Sequence, residues 1–558
     1  MAAPMWHRLL LSQKKSMRCG INVVKYLFQC AAVEMLDPTC TTSPALGIPY
    51  DNKPTPANPV SIPLQETEET RGTSQCPLLP PNFQWLQQHC PGFPINGSKV
   101  RVISDPNEFY KELLTKTDCA SQRISMSSLY LGTGKLEEDL VSAMRSRVAI
   151  CKDLHVRWLL DFTRGSRGDH NSRKMLQPLI TNHPETCSVS LYHTPDLRGV
   201  FKWMIPQRWN ETIGLQHMKL YVFDNSLIIS GANLSNDYFT NRQDRYFVFD
   251  DCPELANFYH SIIDIVSKFS LQLQKDDSTS MLPEIQSHPF LGDYDEYCSS
   301  MRTAIQKVWM QECRKNSLRL QQVVKDLEQS EASKTDNRET DTKLDSVLDT
   351  IVFPTLQMGP FQVTNDSLIT RLFLTNAADN SKIQLASGYF NLTEEYMRCV
   401  LQQSTADYNI LMAHPKANGF LGASGFAGAI PAAYTQLAKT FFERLQNGGH
   451  SERISMFEYQ RPGWTFHAKG LWYYQPGQSL PFLTMIGSPN FGWRSVKRDL
   501  ESQVILVTKN AKLQTALHRE QEHLYKCASQ VTRKTFTEPE RLVPYWVRCV
   551  MPIIKAFF

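Results

Sequence analysis

Residues 211–246 read ETIGLQHMKLYVFDNSLIISGANLSNDYFTNRQDRY, and residues 464–502 read WTFHAKGLWYYQPGQSLPFLTMIGSPNFGWRSVKRDLES. Each stretch sets a His-x-Lys in a strand-like pattern, His217 with Lys219 and His467 with Lys469. Alternate residues of a strand face one way, so each pair presents an imidazole and an ammonium together. In the first stretch Asp224 follows Lys219. A turn of small residues comes next, Ser230-Gly231-Ala232 in one and Gly487-Ser488 in the other, followed by Asn233 and Asn490. Asp244 stands eleven residues after Asn233, and Glu501 eleven after Asn490. A lone histidine in a strand is usually a structural residue. Two copies with matching turns, asparagines and acids point to chemistry instead.

The duplication extends outward. RISMSSLYLGTGKLEEDLV from Arg123 matches KIQLASGYFNLTEEYMRCV from Lys382, each a β-rich run ending in Ser-x-Tyr and continuing through Glu-Glu with helical spacing. VRWLLDFTRGSRG around Asp161 parallels YNILMAHPKANGFLGASG around Met412, and VSLYHTP at Val189 parallels ISMFEYQRPG at Ile454. Four elements in one order in both halves mark an internal repeat. Strands alternating with helical patterns make each half α/β. A length of 558 residues suits two cores rather than one. The sequence divides into a leader at 1–37, a Pro-rich linker and lead-in at 38–94, a first lobe at 95–313, a charged linker at 314–348, and a second lobe at 349–558 with an aromatic tail. The first part of the charged linker has helical character; from Ser330 it reads as a flexible connection.

His-x-Lys-x4-Asp followed by a small-residue turn and Asn resembles the signature of the phospholipase D superfamily. GLQHMKLYVFDNS, SGANLS, YFTNRQDRY, FHAKGLW and IGSPNFGWRSVKRDLE are further similar to the mitochondrial phosphatidylglycerophosphate synthase branch, from about residue 95 to the C-terminus. The resemblance implies two phospholipase D-like lobes, mixed β-sheets flanked by helices, joined as a pseudo-dimer. It implies CDP-diacylglycerol and glycerol 3-phosphate as substrates, a place in cardiolipin synthesis, and no cofactor or metal for the chemistry. In that reading His217 attacks phosphorus and His467 serves as acid and base. Lys219 and Lys469 balance charge on the phosphoryl oxygens. Asn233, Ser488 and Asn490 support the same oxygens, and Asp244 and Glu501 orient an imidazole. A hydrolase on the same fold would share these residues. So would an inactive binding protein, since Tyr474 stands where the second motif expects Asp. Asp224 itself has a competing role as the cap of a turn.

Gly132 and Gly134, in GTGK, lack phosphate-loop spacing, and the matching Phe390-Asn391-Leu392-Thr393 has no glycine. They read as a strand-to-helix turn, with a nucleotide contact as the alternative. Arg164 and Arg167, in RGSRG, suit an anion better and, with Arg173, Arg198 or Arg242, would hold the acceptor's phosphate, with a solvated loop as the alternative.

Charge and composition narrow the partners. A net charge of +4 without a basic stripe argues against nucleic acid. The cysteines include no C-x-x-C, which argues for free thiols rather than zinc. Residues 1–33 hold Arg8, Lys14, Lys15, Arg18 and Lys25 among Leu, Val and Phe, with no acid before Glu34, as in a mitochondrial transit peptide. The charge-free run from Asn418 to Ala438 is broken by Gly419, Gly422, Gly425, Gly428 and Pro431, so it does not read as a membrane span. Lipid handling would then be peripheral, at the mitochondrial inner membrane. Tyr545, Trp546, Phe557 and Phe558 with Arg548 and Lys555 suit a bilayer interface or a buried terminal helix.

Overall fold

A computed structural model describes residues 75–199, 202, 210–334, 348–423 and 428–554. The transit-peptide assignment and most of the Pro-rich linker lie outside the described residues, as do 424–427 of the glycine-rich run and the terminal Lys555, Phe557 and Phe558.

In chain order the strands begin with β1 (Phe93–Ile95), β2 (Val100–Ile103), β3 (Arg123–Ser127), β4 (His155–Asp161), β5 (Cys187–Tyr192), β6 (Leu220–Phe223) and β7 (Ser226–Ser230). Then come β8 (Arg242–Gln243), β9 (Tyr246–Phe249), β10 (Leu271–Leu273) and β11 (Thr279–Ser280). The second half supplies β12 (Thr350–Met358), β13 (Val363–Thr364), β14 (Lys382–Ser387), β15 (Asp407–Ala413) and β16 (Ile454–Tyr459). It ends with β17 (Thr465–Phe466), β18 (Lys469–Tyr474), β19 (Leu483–Gly487), β20 (Leu500–Thr508) and β21 (Ala528–Gln530).

One sheet contains the run β5-β4-β3-β6-β7-β9-β2, and the other β16-β15-β14-β18-β19-β20-β12. Position for position these agree, and so does strand direction. β3, β4 and β5 are parallel, as are β14, β15 and β16. The remaining neighbours in each run are antiparallel. The repeat seen in the sequence is thus a repeat of sheet topology.

Period-two alternation sorts the central strands between two cores. Leu220, Val222, Leu227, Ile229, Phe247 and Phe249 enter a core shared with the second lobe, whereas Tyr221, Phe223, Ile228, Tyr246 and Val248 face the outer core of the first. The helix Pro253–Lys268 fills the shared side with Leu255, Phe258, Tyr259, Ile262, Ile263 and Val266.

The lead-in departs from its sequence assignment. β1 pairs with β12 of the second sheet, and Leu78, Leu79, Phe83 and Leu86 are buried in the shared core. Phe83 stacks on Phe373 at 5.2 Å. Apolar residues scattered among prolines carry this packing, which the segment's composition conceals. The charged linker begins as the helix Asn316–Lys334, whose Val323 is buried. The aromatic tail forms the helix Tyr545–Ile554, burying Val547, Val550 and Met551 while Tyr545 stays exposed. The cysteines among the described residues are free.

Arg245 locks the lobes together. Its Nε and Nη2 donate to the two carboxylate oxygens of Glu520, each at 2.9 Å, and its Nη1 donates to Met485 O at 2.8 Å. The guanidinium lies 3.8 Å from the centre of the Trp472 ring. Gly470, at φ +113°, makes room for it, since a Cβ there would fall 2.1 Å from Met485 O and 2.7 Å from Arg245 Nη1. A charge this deeply buried is tolerated only with its partner. Glu520→Leu is expected to lower unfolding free energy by about 3–5 kcal/mol, and Arg245→Met/Glu520→Leu to recover most of it. Urea unfolding measures both, and an unshifted midpoint for Glu520→Leu would contradict this clamp.

Candidate active site

The two lobes meet through a pair of matching backbone contacts. Gln216 forms a parallel bridge with Leu500, with His217 N donating to Leu500 O at 2.9 Å and Leu500 N to Leu215 O at 2.8 Å. On the other side β17 runs parallel to β8, and His467 N donates to Gln243 O at 2.8 Å. The residue before each histidine therefore lies beside the residue before the other lobe's acid. The side chains follow this register. His217 Nδ1 is 2.9 Å from Glu501 Oε2, and His467 Nδ1 is 2.7 Å from Asp244 Oδ2. The acids orient the imidazoles, as the resemblance implies, but each acts on the opposite half's histidine. Where Nδ1–H is donated to the carboxylate the lone pair sits on Nε2; at His467 the Lys469 Nζ also lies 2.7 Å from Nδ1. His467 Nε2 is 3.3 Å from the Tyr238 hydroxyl.

His217 to Lys219 form an extended link just ahead of β6, and His467 lies between β17 and β18, so neither histidine is inside a strand. Each lysine folds back on its own histidine, Lys219 Nζ to His217 O at 2.6 Å and Lys469 Nζ to His467 O at 2.7 Å. The small-residue turn is demanded by space: a Cβ on Gly231 would sit 2.6 Å from Asp244 Oδ1 and 2.7 Å from Lys469 Nζ. Ser230 Oγ donates to Arg245 O, and Ser488 Oγ to Ser502 O, each bracing the residue after the orienting acid. The Ser-Gly inversion between the copies thus leaves the serine's role unchanged. Asn233 and Asn490 each keep a buried Oδ1 without a hydrogen-bond partner, so the end of each amide left open is its acceptor.

The site buries its charged groups. Burial first, and Lys219 next, hold His217 well below the usual imidazole range. Burial and then Lys469 do the same to His467. Burial also depresses both lysines and pushes Asp244 up to about 6. Such depression of clustered cationic groups is what a bound phosphate would reverse.

Several functional residues escaped the sequence. Asp499, two before Glu501, accepts from Leu215 N at 3.0 Å and Arg494 Nε at 2.8 Å. Ser495 Oγ donates to Glu501 Oε1 at 2.8 Å. Tyr238 and Tyr389 set their rings edge-on to His467, with centroids at 5.1 and 5.3 Å. Tyr389 belongs to the repeated Ser-x-Tyr, a signal that was visible. His217, Asp499 and Glu501 place ligand atoms within 4.8 Å of one another. Both oxygens of each carboxylate are already engaged by neighbouring groups, which suits an orienting network better than a metal site.

The other candidates have partners of their own. Gly132 and Gly134 wrap around the buried Glu137: a Cβ on Gly132 would lie 2.3 Å from its Oε1. That carboxylate accepts from Asn236 N at 2.5 Å, so the loop holds an acid where a nucleotide phosphate would have to go. Arg164 stacks over Tyr130 at 4.4 Å, and Arg167 pairs with Glu211 at 3.2 Å. Asp224 is removed from the chemistry. It occupies the two-residue turn between β6 and β7 with φ +48°, and its carboxylate accepts from Ser121 N, Gln122 N and Arg123 N at 2.8–2.9 Å. In the second copy a longer loop joins β18 to β19, so no such cap is needed. Tyr474 there donates to Gln521 Oε1 at 3.2 Å and is no mark of decay. Asp224→Ala is expected to cost about 1–3 kcal/mol of stability and leave turnover within a few-fold. Thermal unfolding and steady-state rates measure this, and a folded variant without turnover would return Asp224 to the chemistry.

No family model matches the chain. Among curated proteins, the mitochondrial CDP-diacylglycerol–glycerol-3-phosphate 3-phosphatidyltransferase of Homo sapiens is 47% identical over 500 residues, 87% of each chain. The Mus musculus enzyme of the same name is 47% identical over 492 residues, 87% of this chain and 88% of that one. A Dictyostelium discoideum protein named as probably the same enzyme is 36% identical over 487 residues, covering 85% of this chain and 80% of its own. Among solved structures, the phosphatidylserine synthase of Haemophilus influenzae shares the fold, with a TM-score of 0.63 over 86% of this chain and 99% of that one at 17% identity. The chain belongs to the CDP-diacylglycerol–glycerol-3-phosphate 3-phosphatidyltransferase family.

Proposed function

We propose that this protein transfers the phosphatidyl group of CDP-diacylglycerol to sn-glycerol 3-phosphate, giving phosphatidylglycerol phosphate and CMP on the way to cardiolipin. The paired histidines, each oriented at Nδ1 by the other lobe's acid, carry the reading. His217 Nε2 makes no hydrogen bond among the described residues, whereas His467 Nε2 is engaged by Tyr238. The free nitrogen is the better nucleophile. It attacks the phosphorus bearing diacylglycerol, forming a P–N bond as the P–O bond to CMP breaks, and His467 gives its proton to the departing oxygen. His467 then takes the proton of the glycerol 3-phosphate primary hydroxyl, whose oxygen attacks phosphorus and releases His217.

His467 must arrive protonated although burial and the cations around it favour the neutral ring. The pyrophosphate of the donor supplies the negative charge that raises its affinity for a proton. Lys219 and Lys469 balance the phosphoryl oxygens, so this chemistry calls for no metal. The described residues include no helix long and apolar enough to cross a membrane. With the basic leader and relatives named as mitochondrial, this supports work at the surface of the mitochondrial inner membrane.

CDP-diacylglycerol offered with glycerol 3-phosphate, serine and water in competition should give phosphatidylglycerol phosphate. Phosphatidic acid as the sole product, whatever the glycerol 3-phosphate concentration, would mean a hydrolase. With donor labelled in the phosphatidyl phosphate, His217→Ala should abolish protein labelling and His467→Ala should only slow it. The opposite pattern would exchange the two roles.

A further inference from the structure

The duplicated site is symmetric in histidine and lysine but not at the position two residues ahead of each orienting acid. On the His217 side that position is Asp499, tied to Arg494. On the His467 side it is Arg242. Its Nε donates to Thr465 Oγ1 at 2.9 Å, across the β8–β17 pair. Its guanidinium lies 4.6 Å from the centre of the Tyr238 ring, and the hydroxyl of that tyrosine is 3.3 Å from His467 Nε2. A fixed cation therefore stands one tyrosine ring away from the acid/base nitrogen. Asp237, 3.1 Å from Arg242 Nη2, is 57% exposed against 13% for Arg242 itself, so solvent weakens that pair from the Asp237 side. Gly419 leaves the approach open: a Cβ there would lie 3.1 Å from Arg242 Nη2.

We infer that Arg242 binds the phosphate of the acceptor and so makes the site select a phosphorylated alcohol. This rests on the proposed function and deepens it. In-line displacement brings leaving group and acceptor to the face of phosphorus opposite the nucleophile. With His217 as nucleophile, that face is the His467 side, where Arg242 stands. In glycerol 3-phosphate three carbons and an ester oxygen separate the reacting hydroxyl from phosphorus, so the phosphate reaches beyond the group that His467 serves. Arginine's planar fork suits two oxygens of such a phosphate. Water and glycerol bring no group for it.

The test lets two acceptors compete for one intermediate. The full-length protein receives CDP-diacylglycerol in detergent micelles with glycerol 3-phosphate and excess glycerol, and the two lipid products are quantified. Their ratio is independent of the rate at which the intermediate forms. Arg242→Gln should lower the ratio of phosphatidylglycerol phosphate to phosphatidylglycerol by about ten- to hundredfold, with Arg242→Lys falling between. Gly419→Asp, which keeps the arginine but crowds its guanidinium and sets a carboxylate against it, should move the ratio the same way. A wild-type ratio in Gly419→Asp and in a folded Arg242→Gln would overturn the inference. Wild-type protein that makes no phosphatidylglycerol phosphate would instead sink the function on which it rests.

Discussion

Each of the two motif imidazoles is held at Nδ1 by a carboxylate from the other half of the chain, at 2.9 Å for His217–Glu501 and 2.7 Å for His467–Asp244. This exchange ties chemistry to assembly. Neither lobe alone contains an oriented histidine, so the geometry exists only when the two sheets meet in the observed register. Three features serve that meeting: the β8–β17 pair, the Gln216–Leu500 bridge and the buried Arg245–Glu520 ion pair. A shift of one residue at either contact would carry the acid to the wrong face and leave its histidine unaligned.

The electrostatics follow from the same burial. Two lysines and two histidines enclosed with a few carboxylates are costly to charge, and all four are pushed toward neutrality. A phosphodiester entering this enclosure meets preorganised donors that need little rearrangement, which favours phosphoryl transfer through positioning and charge. Gly231 leaves room for Asp244 and Lys469 to approach each other at the turn. Asp499 against Arg242 then distinguishes two otherwise equivalent sides. A duplicated scaffold can thereby assign attack to one side and acceptor handling to the other.

The sequence revealed what is local and repeated. The His-x-Lys pairs, the asparagines, the acids eleven residues on and the Ser-x-Tyr turns each lie within a short window, and two copies made them legible. The exchange of acids was hidden because it joins residues 284 and 223 positions apart. Asp224 looked chemical because the family motif contains it, and only its left-handed turn and its three backbone contacts reveal a cap. The arginines looked alike until their partners were seen. Arg167 faces Glu211 and Arg173 faces Asp277, while Arg242 stands over the ring of Tyr238, whose hydroxyl meets His467. The lead-in misled through composition, because prolines mask the few large apolar residues that anchor it to the second lobe.

A crystal structure with orthovanadate tests the central claim most directly, because vanadate adopts the five-coordinate geometry of phosphoryl transfer. One vanadium atom should bind Nε2 of His217, with Nε2 of His467 in hydrogen-bond reach of the opposite apical oxygen and Glu501 and Asp244 still on the two Nδ1 atoms. Vanadate bound to either imidazole alone, with the other ring turned away or held by an acid of its own lobe, would contradict a single centre shared by both halves.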